Sequence, residues 1–404
     1  MQNKKLPFKI PVKKKKPERQ TDIYAVRKQK KRRKILKRSI WFILAAMLLI
    51  VIYQRRDVWL PQLETIGGQK YSLQPGDNGE GGAFPIPIYS GTKYQAAVIG
   101  EFLAVLSDSY FQVYDHSGSL KNVRQHIYGN ALLRTEGGFA LIYESGGTQF
   151  RLETAEKTVC EKTVADPIIF GTVSSKGYTA LITSSQTCAC KLIVCNEKGQ
   201  EIYSRACVEQ LSAVTFLPDS TGCYAVSLGV ENGIMQSYVH KYSFSEESEV
   251  WSSKPLDTFA ISVYNTNDGG VCLMGDTKAA FLTQGGGILK EFTYPDTFEQ
   301  GCFAGDTAVL LLSNQEQRTR SLMILSLDAS EPVVKRYDRE IKNVGILPES
   351  REALVQMRSQ LVKLKYDGTV SGSEAISDAG DSFIRFGSDI LMLGYNSIDR
   401  QEIP

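Results

Sequence analysis

Histidine is scarce in this sequence: its 404 residues include only three, His116, His126 and His240. None has a second histidine two, four or five positions away, and the sequence contains no HExxH, GxSxG or P-loop motif. These absences argue against a zinc peptidase, an α/β-hydrolase and a P-loop NTPase, because each needs its motif to position its reacting groups. We interpret the three histidines as surface or structural residues, predict no catalytic, cofactor-binding or metal-binding residue, and expect no cofactor.

The N-terminal region lacks helix breakers and cysteine. The first glycine is Gly67, no proline lies between Pro17 and Pro61, and the first cysteine is Cys160. Lipoprotein processing is excluded, because it needs a cysteine to carry the lipid. One continuous helix from about residue 22 to residue 60 is sterically allowed. The chain has no N-x-S/T sequon either, which disfavours a eukaryotic secretory protein and favours a bacterial one.

The net charge of +3 averages two opposite regions. Residues 1–38 hold 17 Lys and Arg against two acids, a net +15, and the other 366 residues hold 30 Lys and Arg against 42 acids, a net −12. This division predicts a membrane or nucleic-acid contact at the N-terminal end. Phe8 and Tyr24 are too few aromatic residues for base stacking. We therefore expect the basic tail to lie on anionic lipid and expect no nucleic-acid partner.

An uncharged segment of 15 residues, Ser39–Tyr53, lies between the two regions. As a helix it would cover ~22 Å of a hydrocarbon layer of ~30 Å, which leaves a cleaved signal peptide and a buried core helix as alternatives. Residues 54–57 (QRRD) stand where a signal peptidase needs small residues. We therefore favour an uncleaved transmembrane signal-anchor α-helix over residues 39–60. Its ends carry aromatic and long basic side chains that suit the membrane interface. These anchor residues are Trp41, Tyr53, Trp59, Lys37, Arg38, Arg55 and Arg56.

The basic residues that precede the span predict its orientation. Under the positive-inside rule, residues 1–38 form a cytoplasmic tail and the C-terminal part lies outside. Residues 61–83 are rich in Gly and Pro and predict a flexible linker. Residues 84–404 then form an extracytoplasmic domain, so that the chain is expected to be a single-pass protein of a bacterial, Gram-positive cell membrane.

The C-terminal region is repetitive. Short apolar runs alternate with turns every 8–12 residues, which is typical of an all-β domain. A strand that ends in a polar turn, from which a second strand leaves, recurs seven times between Asp115 and Asp367, so that six steps cover 252 residues at a mean of 42. A period of about 42 with several strands per unit predicts the four-stranded blades of a β-propeller. The seven turns are at Asp115, Thr154, Asn196, Ser245, Gln284, Asp328 and Asp367.

Seven full repeats occupy residues 92–377, and strands remain at both ends of the region. Ser382–Phe386 and Ile390–Gly394 follow the last repeat, and Phe84–Tyr89 precedes the first. We predict that these ends pair in a composite closing blade, which makes eight blades; seven blades with one misphased repeat is the alternative. The unbroken apolar run Val271–Met274 predicts a strand near the crowded axis.

With its basic tail, single helix, repeats and the turn Asp115–Gly118 (DHSG), the chain resembles a family of uncharacterised single-pass membrane proteins, mostly from anaerobic Gram-positive bacteria. The resemblance covers nearly the whole length and implies an extracytoplasmic β-propeller-like domain of unknown function. More distantly, the repeats are similar to quinoprotein-like and WD-type propellers. There is no Trp-Asp dipeptide, and Trp251 is the only tryptophan after residue 83. The tryptophan docking pattern and the cofactor residues of quinoproteins therefore do not carry over.

All eight cysteines follow residue 83. Cys188 and Cys190 are two positions apart, which predicts that both thiols lie on one face of a strand. With Cys195 and Cys207 they form a possible disulfide or thiol cluster. A four-thiolate zinc site, a disulfide within the cluster and buried free thiols all stay open.

A propeller presents rigid loops around a central channel, which suits it to recognition. We predict a non-enzymatic binding or scaffold module for a protein, a peptide or a cell-envelope polymer. One alternative is an envelope hydrolase or lyase with carboxylates at the channel mouth. Another is a transmembrane sensor whose basic tail has a cytoplasmic partner.

Overall fold

The computed structural model describes residues 84–88, 93–376 and 380–404. All the regular structure in these ranges is β-strand, in eight four-stranded antiparallel sheets. The predicted tail, membrane span and linker lie outside the described residues, as do all seven anchor residues. Within the described ranges, no helix has the length and apolar character needed to cross a bilayer.

Each sheet is one blade of a ring, and seven blades consist of four consecutive strands. Blades one to four are β2 (Tyr94–Ile99), β3 (Phe102–Ser107), β4 (Tyr110–Tyr114), β5 (Leu120–Gln125); β6 (Ala131–Glu136), β7 (Phe139–Glu144), β8 (Gln149–Glu153), β9 (Thr158–Thr163); β10 (Ile168–Val173), β11 (Thr179–Thr183), β12 (Cys190–Cys195), β13 (Glu201–Cys207); and β14 (Gln210–Phe216), β15 (Gly222–Glu231), β16 (Ile234–Ser243), β17 (Glu249–Ser252). Blades five to seven are β18 (Ala260–Asn265), β19 (Val271–Gly275), β20 (Lys278–Leu282), β21 (Ile288–Thr293); β22 (Thr297–Ala304), β23 (Thr307–Asn314), β24 (Thr319–Ser326), β25 (Val333–Tyr337); and β26 (Ile341–Leu347), β27 (Glu352–Met357), β28 (Gln360–Lys365), β29 (Val370–Ala375).

The eighth blade closes the ring with both ends of the domain. Its strands β30 (Gly380–Phe386), β31 (Asp389–Gly394) and β32 (Ser397–Glu402) come from the C-terminus, and its outermost strand β1 (Ile86–Pro87) comes from the N-terminal side. The predicted composite blade and the count of eight are confirmed. β32 has no apolar run that would predict it from the sequence, because only one of its six residues, Ile398, is buried. The predicted N-terminal strand, Phe84–Tyr89, is longer than β1.

Burial across a blade follows the position of the strand in the ring. The first strands of neighbouring blades contact one another around the axis and are partly exposed. The second and third strands are sandwiched between neighbouring sheets, so both of their faces are apolar and every residue of β19 is buried. The interpretation of Val271–Met274 as an axial strand is therefore wrong, since the run belongs to the second strand of its blade. An unbroken apolar run marks burial on two faces, which here comes from blade stacking.

The antiparallel meander gives the ring two different faces. We define the lower face as the end of the blades where one turn connects the first strand to the second and another connects the third strand to the fourth. All seven repeat turns predicted from the sequence connect a third strand to a fourth and lie on this face. They are closed by short hydrogen bonds; for example, the Asp115 carboxylate accepts the N–H groups of Ser117 at 2.9 Å and Ser119 at 3.0 Å. We define the upper face as the opposite end, where a turn connects the second strand to the third and where the chain passes from one blade to the next.

Candidate binding face

Exposed apolar side chains are distributed unevenly over the described residues. Fifteen large hydrophobic residues are exposed, and none of them lies in a turn of the lower face. Five are on the fourth, outermost strands, namely Ile202, Val250, Leu289, Val334 and Val370. Ten are at the upper face, namely Tyr110, Ile127, Ile169, Val208, Val230, Ile234, Met235, Phe259, Ile261 and Tyr395. The upper face is therefore the apolar face of the ring.

The most prominent feature of the upper face is the hairpin of β15 and β16. Each strand has ten residues, more than any other strand in the described ranges. At its tip Asn232 and Gly233 both have positive φ, 52° and 80°, which is the geometry of a type I′ turn. Val230 is the cross-strand partner of Met235, and Val230, Ile234 and Met235 are 66, 54 and 41 % exposed. The sequence analysis missed this hairpin, although an Asn-Gly pair between apolar residues is its usual signal.

The loop that follows blade four is fixed to the base of this hairpin. Ser237 donates its N–H to the Leu256 carbonyl at 2.9 Å and its hydroxyl to the Thr258 carbonyl at 2.6 Å. Gln236 donates to the Asp257 carboxylate at 3.1 Å. These bonds place Phe259, which is 41 % exposed, next to the hairpin. The hairpin and the loop are therefore held together by hydrogen bonds at the base of the hairpin.

A bulge recurs near the upper end of the first strand in six blades. There the pairing with the second strand skips one residue, which bends the strand locally. The skipped residues are Ile169, Ser212, Ile261, Glu299, Lys342 and Asp381. In blades one and two the first strands β2 and β6 pair without a skipped residue. These two neighbouring blades therefore lack the bulge that the other six share.

A cavity of about 780 Å³ opens on the upper face at the same place, between blades eight, one and two. Two carboxylates, Asp108 and Asp381, line it from different blades. The Tyr94 hydroxyl donates to the Gly394 carbonyl at 2.7 Å and so ties blade one to the closing blade. Burial and the carboxylates of Asp381 and Asp399 raise the pKa of Tyr94 to about 12. Tyr94 therefore stays protonated at neutral pH and acts as a hydrogen-bond donor.

His126 is buried, and its hydrogen-bond partners Ser107 and Tyr128 line this cavity. Its Nδ1 accepts the N–H of Tyr128 at 3.3 Å, and its Nε2 donates to the Ser107 carbonyl at 2.9 Å. A nitrogen that accepts an N–H carries no proton, so this ring is neutral. Burial lowers the pKa of His126 below its usual 6.5, and the nearby Arg151 charge adds to that effect.

This neutral histidine predicts that acid destabilises the domain. The unfolded chain binds a proton at His126 below pH 6.5, whereas the folded chain binds it only at a lower pH. The stabilisation is complete above pH 6.5 and is lost as the pH falls below it, by at most ~1.4 kcal/mol per pH unit. We expect urea unfolding to give a smaller free energy of unfolding at pH 5.5 than at pH 7.5 in the wild type. The control variant His116→Gln, which changes an exposed ring, should show the same loss. In His126→Gln the loss should shrink, and an unchanged loss there would contradict the assignment.

A hydrogen-bonded series at the junction of blades three and four runs from a serine to a histidine to a carboxylate, as in the catalytic triad of a serine hydrolase. Ser227 Oγ lies 2.8 Å from His240 Nε2, and His240 Nδ1 lies 2.9 Å from the Glu249 carboxylate. The Ser227 hydroxyl is also hydrogen-bonded to the Glu209 carboxylate, and Ser227 is 3 % exposed. A carboxylate beside the nucleophile would repel the oxyanion that acyl transfer must stabilise. We therefore interpret these hydrogen bonds as a structural link between β15, β16, β17 and the loop after β13.

The four cysteines of the predicted cluster do not all lie together in the structure. Cys190 and Cys207 are direct partners across β12 and β13, and Cys195 lies at the other end of β12. Cys188 is in the bend before β12, so the placement of Cys188 and Cys190 on one strand face is wrong: the strand begins at Cys190. All four thiols are free. No group of three or more His, Cys, Asp or Glu suited to a metal occurs in the ranges that the structure describes.

These features define the class of this protein: an eight-bladed β-propeller with one apolar face. Its fold is similar to that of BamB from Moraxella catarrhalis, with a TM-score of 0.53 and 11 % identity over 80 % of this chain and 98 % of BamB. It is also similar to the WD40 domain of SCAP from fission yeast, with a TM-score of 0.53 and 10 % identity over 79 % of this chain and 96 % of that domain. At such identities the likeness concerns the fold alone.

The chain belongs to the family of unknown function DUF5711, whose model matches residues 87–379. No curated protein matches the sequence. The predicted β-propeller of unknown function is confirmed by this match together with the fold. The resemblance to single-pass membrane proteins stays a prediction.

Proposed function

We propose that this protein is a membrane-anchored, extracytoplasmic binding module whose upper face holds a protein partner. The observation that carries the proposal is the concentration of exposed apolar side chains on the upper face. Such patches on soluble domains mark interaction sites. The anchor rests on the sequence: a +15 tail, an uncharged segment and an acidic domain, in that order.

The kind of partner follows from the chemistry of the face. Val230, Ile234, Met235 and Phe259 offer aliphatic, thioether and aromatic surface, which suits the apolar core of a protein interface. A cell-envelope polysaccharide would need many hydrogen-bonding groups, and these four side chains have none to offer. The negative charge of the region after residue 38 favours a partner with basic residues around its apolar centre.

A photo-crosslinking experiment on the full-length chain in its own membranes tests the face. A photoreactive residue at Ile234 should yield one discrete crosslinked protein. The same residue at Lys198, in a lower-face turn, should yield none. Equal crosslinking from both positions would contradict the proposal.

Affinity measurements on the purified partner give the second prediction. We expect Ile234→Lys combined with Met235→Lys to weaken binding at least tenfold, because a buried apolar anchor contributes ~2 kcal/mol or more and the new charges repel a basic partner. Val334→Lys combined with Val370→Lys is the matched control, since these residues are 41 and 58 % exposed but lie on outer strands. The control should bind as the wild type does.

The orientation of the chain needs its own test. Protease added to intact cells should cleave the region after residue 61 and leave the tail around Lys13 uncut. Cleavage of the tail alone would overturn the extracytoplasmic part of the proposal without affecting the binding face.

A further inference from the structure

Two thiols face each other at the upper end of blade three. Cys190 is the first residue of β12, Cys207 is the last residue of β13, and the register pairs them directly. Direct partners on antiparallel strands have Cα atoms ~4.5–5.5 Å apart and side chains on the same face. A disulfide needs Cα atoms ~4.4–6.8 Å apart. The backbone therefore already has the spacing that a bond between these two sulfurs requires.

The environment of Cys190 favours its thiolate. The Leu211 N–H donates to Cys190 Sγ at 3.3 Å, and the Cys190 thiol donates to the Glu209 carbonyl at 3.6 Å. The neighbouring Cys207 thiol is the larger cause and the Leu211 N–H the smaller, and together they lower the pKa of Cys190 against the effect of burial, while the same contact raises the pKa of Cys207. Burial instead raises the pKa of Cys195 to about 11 and that of Cys223 to about 12. The thiolate is the reactive form of cysteine, so Cys190, although it is buried as they are, differs from these two thiols in the N–H that its sulfur accepts.

We propose that Cys190 and Cys207 are a redox pair, which a hydroperoxide converts to a disulfide and a dithiol converts back. The Cys190 thiolate attacks one peroxide oxygen, the O–O bond breaks, and the leaving hydroxide takes up a proton to become water. The Cys207 sulfur then attacks the Cys190 sulfenic acid, the S–O bond breaks, and the Cys207 proton leaves with the oxygen as a second water. Two thiols and one hydroperoxide give one disulfide and two waters, or one water and one alcohol for an organic hydroperoxide. The return step is thiol–disulfide exchange, which oxidises the added dithiol.

The other two thiols of the cluster do not fit this role. Cys188 lies before β12, outside the register that pairs Cys190 with Cys207, and its thiol donates to the Cys190 carbonyl at 3.2 Å. Cys195 lies five residues further along β12, ~17 Å away. Cys190 is fully buried and Cys207 is 6 % exposed, but Val208, which follows Cys207, is 92 % exposed, so the surface is one residue away. A hydroperoxide as small as hydrogen peroxide has only a short path to the pair.

The test is thiol mapping of the full-length protein. The reduced protein is treated with hydrogen peroxide, its remaining thiols are alkylated under denaturing conditions, and its peptides are analysed by mass spectrometry. We expect alkylation to fall from eight cysteines to six, and a single crosslinked pair of peptides to join Cys190 to Cys207. Dithiothreitol should restore all eight. This experiment needs no variant and does not depend on the proposed binding function.

Two variants assign the order of steps. Cys207→Ser should leave Cys190 as a sulfenic acid that dimedone traps, because its resolving thiol is gone. Cys223→Ser, which changes a fully buried cysteine of blade four, should still form the Cys190–Cys207 disulfide. The proposal is overturned if no link forms at a peroxide concentration that oxidises the exposed Met235. It is equally overturned if Cys188 replaces either partner in the link.

Discussion

Removal of residues 397–404 will abolish the cooperative unfolding transition of the propeller. These residues include β32, which pairs with β31 on one side and with β1 on the other. Its Ile398 is fully buried with Ile86, Leu103 and Leu391. Without β32 the N-terminal strand has no partner, the ring is open, and an apolar seam between blades eight and one faces water. Calorimetry of the truncated chain should show no sharp transition.

Point variants distinguish the packing of the closing blade from the effect of a shorter chain. Ile398→Ala should lower the free energy of unfolding by ~2–5 kcal/mol, the usual cost of emptying a fully buried site. Val370→Ala, which shortens a 58 % exposed residue on an outer strand of blade seven, should change it by ~0.5 kcal/mol or less. If the truncated chain melted as sharply as the full chain and at the same temperature, the composite blade would contribute nothing to stability.

Substitution of Glu153 by glutamine will cost ~3–5 kcal/mol of stability, because it leaves two buried guanidinium groups without their counter-charge. Glu153 is fully buried on β8 and forms ion pairs with Arg151 of the same strand and with Arg124 of β5, whose Nε is 3.0 Å from Oε2. Thr158 donates to its other oxygen at 3.0 Å. Arg124 belongs to blade one, so this network holds blades one and two together. Urea denaturation of Glu153→Gln at pH 7 measures the loss.

The matched control makes the same change in a partly exposed ion pair. Glu299 lies 2.6 Å from Arg320, and their side chains are 30 and 32 % exposed. Solvent screening reduces such a pair to ~1 kcal/mol or less, so Glu299→Gln should be close to the wild type. Equal losses in the two variants would show that burial of Glu153 does not decide its contribution.

The candidate site was less predictable than the fold. Four cysteines stand out in the sequence, and only Cys190 and Cys207 are direct partners across two strands, because strand register decides which side chains face each other. The hairpin with Val230 and Met235 was missed, although its Asn-Gly tip is visible in the sequence. Glu153 gave no signal, since its strand alternates charged and apolar residues as an exposed strand does. It is buried because blade one covers it.

The sequence alone determined the period, the turns and the composite blade, because each blade repeats one local pattern of apolar runs and polar turns about 42 residues long. It also determined the division between a basic tail and an acidic region, since charge is a property of the chain before it folds. Only the tertiary structure decided which face is apolar, which thiols are partners and which carboxylate is buried. These features depend on contacts between neighbouring strands and blades, and such contacts join side chains that no local pattern relates.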